Sequence, residues 1–174
     1  MKRIRLLLVV AAAAAPVACA SSSNSIVPTR PFTTPDWLSE GTGAFRGEGG
    51  RRLQGVGVAS AIANPMARRK QADAAAREQL QSGVDALAQA LSKMAESGQA
   101  STVVTIAHNA AAQVYPMIRD RFVTADGDEL AVAVLEIDDF RKALKKIEGD
   151  EKTRLEMDAN VDRAFDQLAP GSRQ

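Results

Sequence analysis

RDRFVTADGDELAVAVLEI, residues 119–137, is the stretch on which the fold turns. Two apolar runs, 119–124 and 129–137, flank Ala125-Asp126-Gly127-Asp128, and Asp-Gly between such runs signals a β-hairpin, because glycine accepts the positive φ that tight turns need. The second run, LAVAVLEI, is apolar on both faces, the pattern of a central strand covered on two sides. The first run carries Arg119 and Arg121 on one face. A two-residue turn sets these arginines beside Val134 and Val132, a poor match, whereas a longer loop shifts the pairing by one residue; the register stays open between the two.

Upstream, LQGVGVASA (residues 53–61) alternates small and branched residues between glycines, which predicts a strand closely approached by another backbone. Asn64-Pro65 opens a helix: Asn caps free amides, and Pro at the first helical position gives up a donor that had no partner. Leu80, Val84, Leu87, Leu91 and Met94 recur at helical spacing, Ala72, Ala75 and Ala76 extend the stripe, and Ser97-Gly98 closes it. Residues 103–117 predict a second helix, with Val103, Ile106, Ala107, Ala110, Val114 and Met117 inward. After the hairpin, Asp138 or Asp139 is placed to cap a last helical region in which Phe140, Leu144, Ile147, Leu155, Val161, Phe165 and Leu168 keep their period past a kink near Gly149. The expected fold is α+β, a small antiparallel sheet on amphipathic helices in the order β-α-α-β-β-α, forming one domain over residues 51–170.

The N-terminus reads as an export signal. Lys2, Arg3 and Arg5 precede an apolar run, residues 6–15, too short to span a bilayer, and Val17-Ala18-Cys19 closes it with small residues. Cys19 is the only cysteine in the chain and stands where a lipoprotein signal is cut and acylated; Ala18-Cys19-Ala20 also fits an A-x-A site for ordinary signal peptidase. Several acyl chains, each methylene contributing about 0.8 kcal/mol, give stable membrane attachment. Residues 19–50, rich in Ser, Thr, Pro and Gly, read as a tether, of which roughly 15 flexible residues before Pro35 span about 20 Å. Trp37, the only tryptophan, reads as a pin holding the linker to the domain, with a ligand-facing aromatic as the other possibility.

Loss of Lys2, Arg3 and Arg5 with the leader takes the formal charge from +1 to −2, so the exported chain lacks the basic field that nucleic acid binding requires. With Cys19 acylated no thiol remains for a disulfide or a metal cluster. His108 is the only histidine and falls inside a predicted helix with no zinc-ligand spacing around it, which favours a structural role. Gly55-Val56-Gly57 imitates the first two glycines of a dinucleotide fingerprint, but Ser60 stands at the third. Asp126-Gly127-Asp128 resembles the opening of a calcium loop without its downstream carboxylate. Arg51-Arg52 and Arg68-Arg69-Lys70 read as surface charge, or as contacts to anionic headgroups. No catalytic residue, metal ligand or cofactor site is expected.

In their order, PDWL (residues 35–38), GVGVAS (55–60), ADAAAREQL (72–80) and RDRFVTADGDELAVAVLEI (119–137), behind the lipid signal, resemble the LPP-twenty family of small bacterial lipoproteins, whose relatives include outer-membrane lipoproteins tied to flagellar assembly. The resemblance covers about residues 35–145. It implies an α+β domain and a membrane-associated, often oligomeric envelope protein without enzymatic chemistry, whose partners are the membrane and other envelope proteins, itself among them. Pro16 and the charged tail after Lys145 depart from the family pattern. Ala20 after the cysteine favours the outer membrane. The alternative is a soluble periplasmic binding module released by ordinary cleavage.

Overall fold

Strand β2 (Gly50–Ala59) and helix α2 (Pro65–Ser92) lie almost backbone to backbone. A Cβ on Gly55 would meet the Ala76 carbonyl and stand 2.8 Å from Leu80 Cα; one on Gly57 would meet the Ala76 amide and stand 2.7 Å from the Ala75 carbonyl carbon. Only glycine leaves room for this approach, as the alternation of small residues in the sequence predicts. The computed structural model describes residues 34–47, 49–96, 99–114 and 116–169, and these belong to one compact unit. Cys19 and the predicted leader lie outside the described residues.

The architecture is α+β. Helix α1 (Asp36–Glu40) and strand β1 (Gly43–Gly47) precede β2 and α2; helix α3 (Ala100–Val114), strands β3 (Met117–Val123) and β4 (Glu129–Glu136), and helices α4 (Ile137–Leu144) and α5 (Glu151–Asp166) follow. The sheet is antiparallel in the order β1-β2-β4-β3. Its odd-numbered face on β2 and β4, with Leu53, Gly55 and Gly57 beside Leu135, Ala133 and Ala131, packs on α2. The core continues through Leu80, Leu87, Val103, Phe140, Leu144, Val161 and Phe165. Strand β4 is central, as its two apolar faces require.

Three differences from the sequence reading have local causes. Residues 36–47, read as tether, form α1 and β1, because β2 is ten residues long and β1 supplies its second edge partner by a hairpin over Gly47–Gly50. The last helical region is two helices rather than one kinked one: α4 stops at Leu144, and Asp150 starts α5 afresh by accepting from the Thr153 amide at 2.9 Å. Neither Asp138 nor Asp139 caps α4. Glu136 occupies that position without a side-chain cap, and the two aspartates sit in the first turn, where the helix's free amides favour negative charge.

The hairpin resolves to the longer loop. Thr124 and Asp128 close it, Gly127 donates to the Thr124 carbonyl at 3.0 Å, and Gly127 takes a φ of +86°. This is a type I turn followed by a left-handed glycine, which pairs Arg121 with Ala131 instead of Val132. A bulge at Arg119 then shifts the pairing again, setting Ile118 beside Ala133 against the core and Met117 beside Val134, 71% exposed. None of the helices in the described residues is long and apolar enough to cross a membrane.

Candidate functional site

The sheet's second face carries Gln54, Val56 and Val58 on β2 and Leu130, Val132 and Val134 on β4. Helix α1 lies over one end of it. No residue of α1 is buried, so polar bonds rather than apolar packing fix its position. Trp37 Nε1 donates to Asp120 Oδ2 on β3 at 2.9 Å, a bond between residues 83 apart in sequence. Gln54, 3% exposed, donates through Nε2 to the Gly41 carbonyl at 2.7 Å, and Arg52 donates to Glu40 Oε2, also at 2.7 Å. Thr42 Oγ1 accepts from the Val56 amide at 2.9 Å. Trp37 is therefore a pin, as its position in a Pro-rich stretch suggests.

Between α1 and the sheet a cleft of about 480 Å³ remains open. Val132 and Val134 form its floor, Trp37 a wall, and Asp36, Glu40, Arg52, Gln54, Arg119 and Asp120 its rim. Its size falls within the range of small-molecule sites, roughly 300–1,000 Å³, while its lining is more polar than is usual for them. Most of the rim is already partnered. Glu40 accepts from Arg52, Asp120 from Trp37, and Glu136 Oε1 from Arg119 Nη1 at 2.8 Å. Among the described residues the Asp36 carboxylate has no partner, and Arg119, its side chain 61% exposed, uses one of its donors.

The other candidate groups are absorbed by the fold. His108 Nε2 on α3 lies 3.0 Å from Asp85 Oδ1 on α2 without the geometry of a hydrogen bond, and the same oxygen accepts from Gln81 Nε2. Asp126 and Asp128 are turn residues. Arg69 donates to Glu129 Oε1 at 2.9 Å, Arg68 lies 3.7 Å from Glu129 Oε2, and the Glu129 carboxylate is nearly buried. Thus two cations of the Arg68-Arg69-Lys70 run pair with the end of β4, Arg68 largely covered and Arg69 still half exposed. Arg51 meets Asp162 and Asp166 on α5. Arg121 donates to both carboxylate oxygens of Asp73 on α2 through Nε and Nη2, at 2.9 and 2.8 Å, and this bond raises the Arg121 pKa. Among the described residues no three His, Cys, Asp or Glu side chains converge to hold a metal ion.

The sequence reading did not single out Asp36, Gln54, Asp120 or Arg119 as neighbours. Gln54 alone left a trace, a long amide inside a strand otherwise built of small and branched residues; the others meet only because α1 folds back over the sheet. Compared with models of known families, with curated proteins and with solved structures, the chain finds no match.

Proposed function

We propose that this protein is a lipid-anchored envelope lipoprotein that performs no catalysis, held at the outer membrane by acylated Cys19 and presenting its α+β domain to other envelope proteins. The observation that carries the reading is the placement of the only thiol, directly after a basic and then apolar leader ending in small residues. The likeness of its motif order to the LPP-twenty family supports the same reading. So does the length of chain between Cys19 and Thr34, where the compact unit begins: about 15 residues is enough to hold a domain clear of headgroups. Metabolic labelling with an acyl probe tests it directly. Wild type takes up label and Cys19→Ser does not; equal label in the two rules the anchor out.

A second reading, a soluble periplasmic module that binds a ligand, is favoured by the open cleft beneath α1. Cell fractionation separates the two. Release without detergent supports the module, and retention in the membrane fraction supports the anchor.

A further inference from the structure

We propose that the cleft between α1 and the outer face of the sheet binds a zwitterionic small molecule, a free amino acid or short peptide, with its ammonium at Asp36 and its carboxylate at Arg119. Asp36 precedes Trp37 in sequence and Arg119 precedes Asp120, and the Trp37–Asp120 hydrogen bond of 2.9 Å brings these two neighbourhoods together. Both side chains line the same cleft. Both keep hydrogen-bonding capacity, and Arg119 keeps more of it than Arg52, which already gives Nε to Gln54 and Nη2 to Glu40. Asp36 is unpartnered among the described residues, whereas Arg119 gives one N–H to Glu136 and keeps the remainder of its planar fork, which suits a carboxylate.

An unpartnered anion and a cation with spare donors in the lining of one cleft select a ligand carrying both signs. A plain anion would meet Asp36, Glu40 and Asp120, and a plain cation would meet Arg52 and Arg119. Trp37, Val132 and Val134 supply the apolar part of the lining, and an indole face also attracts an ammonium. About 480 Å³ accommodates a ligand of this size. The proposal holds for an anchored or a soluble chain alike, so the acylation experiment neither supports nor damages it.

Trp37 is the chain's only tryptophan and lines the cleft, so its emission reports on this site alone. The full-length protein is titrated with leucine, lysine, glutamate, alanyl-leucine and lysyl-alanine, following tryptophan emission and, in parallel, heat. At least one is expected to saturate both signals below about 1 mM, an affinity of a few kcal/mol suited to an open cleft. N-acetylation or C-amidation of that ligand is expected to weaken it at least about tenfold, and Asp36→Asn and Arg119→Gln likewise, each with an unchanged far-ultraviolet circular dichroism spectrum. Asp36 is exposed and its side chain has no partner among the described residues, so its variant is not a folding risk. No saturable signal from any of the five up to about 10 mM overturns the proposal. Equal affinity of the acetylated ligand, or of Asp36→Asn, overturns it too.

Discussion

Gly57 shows how much one hydrogen atom in place of a methyl group decides. A methyl there would collide with backbone of α2, at Ala76 and Ala75, and helix backbone cannot swing aside as a side chain can. Gly57→Ala is expected to lose about 2–3 kcal/mol of stability, read as a lowered midpoint in urea unfolding. Gly83, whose nearest neighbour is a leucine side chain at 3.9 Å, is the internal control and should tolerate alanine. Asp150 has a pH signature. Its carboxylate accepts from the Thr153 hydroxyl at 2.6 Å and the Thr153 amide at 2.9 Å, and these bonds hold its pKa below the ordinary aspartate value. A group whose folded pKa is depressed contributes stability above its unfolded pKa and loses that contribution as pH falls through the folded one. Stability of wild type and Asp150→Ala should therefore differ at neutral pH and converge on acidification below about pH 4, in unfolding curves taken across that range.

At the level of elements, α5 is docked by two systems at once. Thr153, Met157, Val161, Ala164 and Phe165 are buried, while Asp158, Asp162 and Asp166, one helical turn apart, face basic residues from three elements. Arg141 of α4 lies 2.9 Å from Asp162, Arg51 of β2 lies 3.3 Å from it, and Arg46 of β1 lies 2.5 Å from Asp166. Asp162, Asp166, Arg46 and Arg51 are each more than a third exposed and Arg141 somewhat less, which keeps each pair small. Asp162→Ala is expected to cost about 0.5–1 kcal/mol at low salt and less at 1 M, measured by thermal unfolding at both ionic strengths. The apolar stripe of α5 was legible from Val161 and Phe165 onward, but its acidic stripe read only as a solvated face, since nothing local says which distant cations will meet it. The same contrast runs through the hairpin. Asp126-Gly127 announced the turn and the apolar run announced the central strand, yet the turn residues alone leave open the loop type, and with it the side on which Arg121 emerges to meet Asp73 nearly fifty residues earlier.

For the whole molecule, the boundary at Thr34 makes a prediction that the composition of the chain does not. Pro, Ser and Gly enrichment through residue 50 reads as linker because such residues bury little. Residues 36–47 are nevertheless fixed by partners elsewhere, Gln54, Arg52 and Asp120, and by pairing to β2. A chain beginning at Arg51 should melt at least roughly 5 °C lower than one beginning at Thr34, having lost bonds worth about 1 kcal/mol each. Calorimetry of the two distinguishes them. The cleft was the least legible part for the same reason: it exists only once α1, β2 and β3 are assembled. Strand β3, finally, closes the sheet with a bulge and with Arg119, Asp120 and Arg121 in succession. That margin is an irregular, charged template, a poor match for any incoming backbone. Copies packed side by side find no ladder to extend there, so dense crowding of this protein does not seed fibrils along that side.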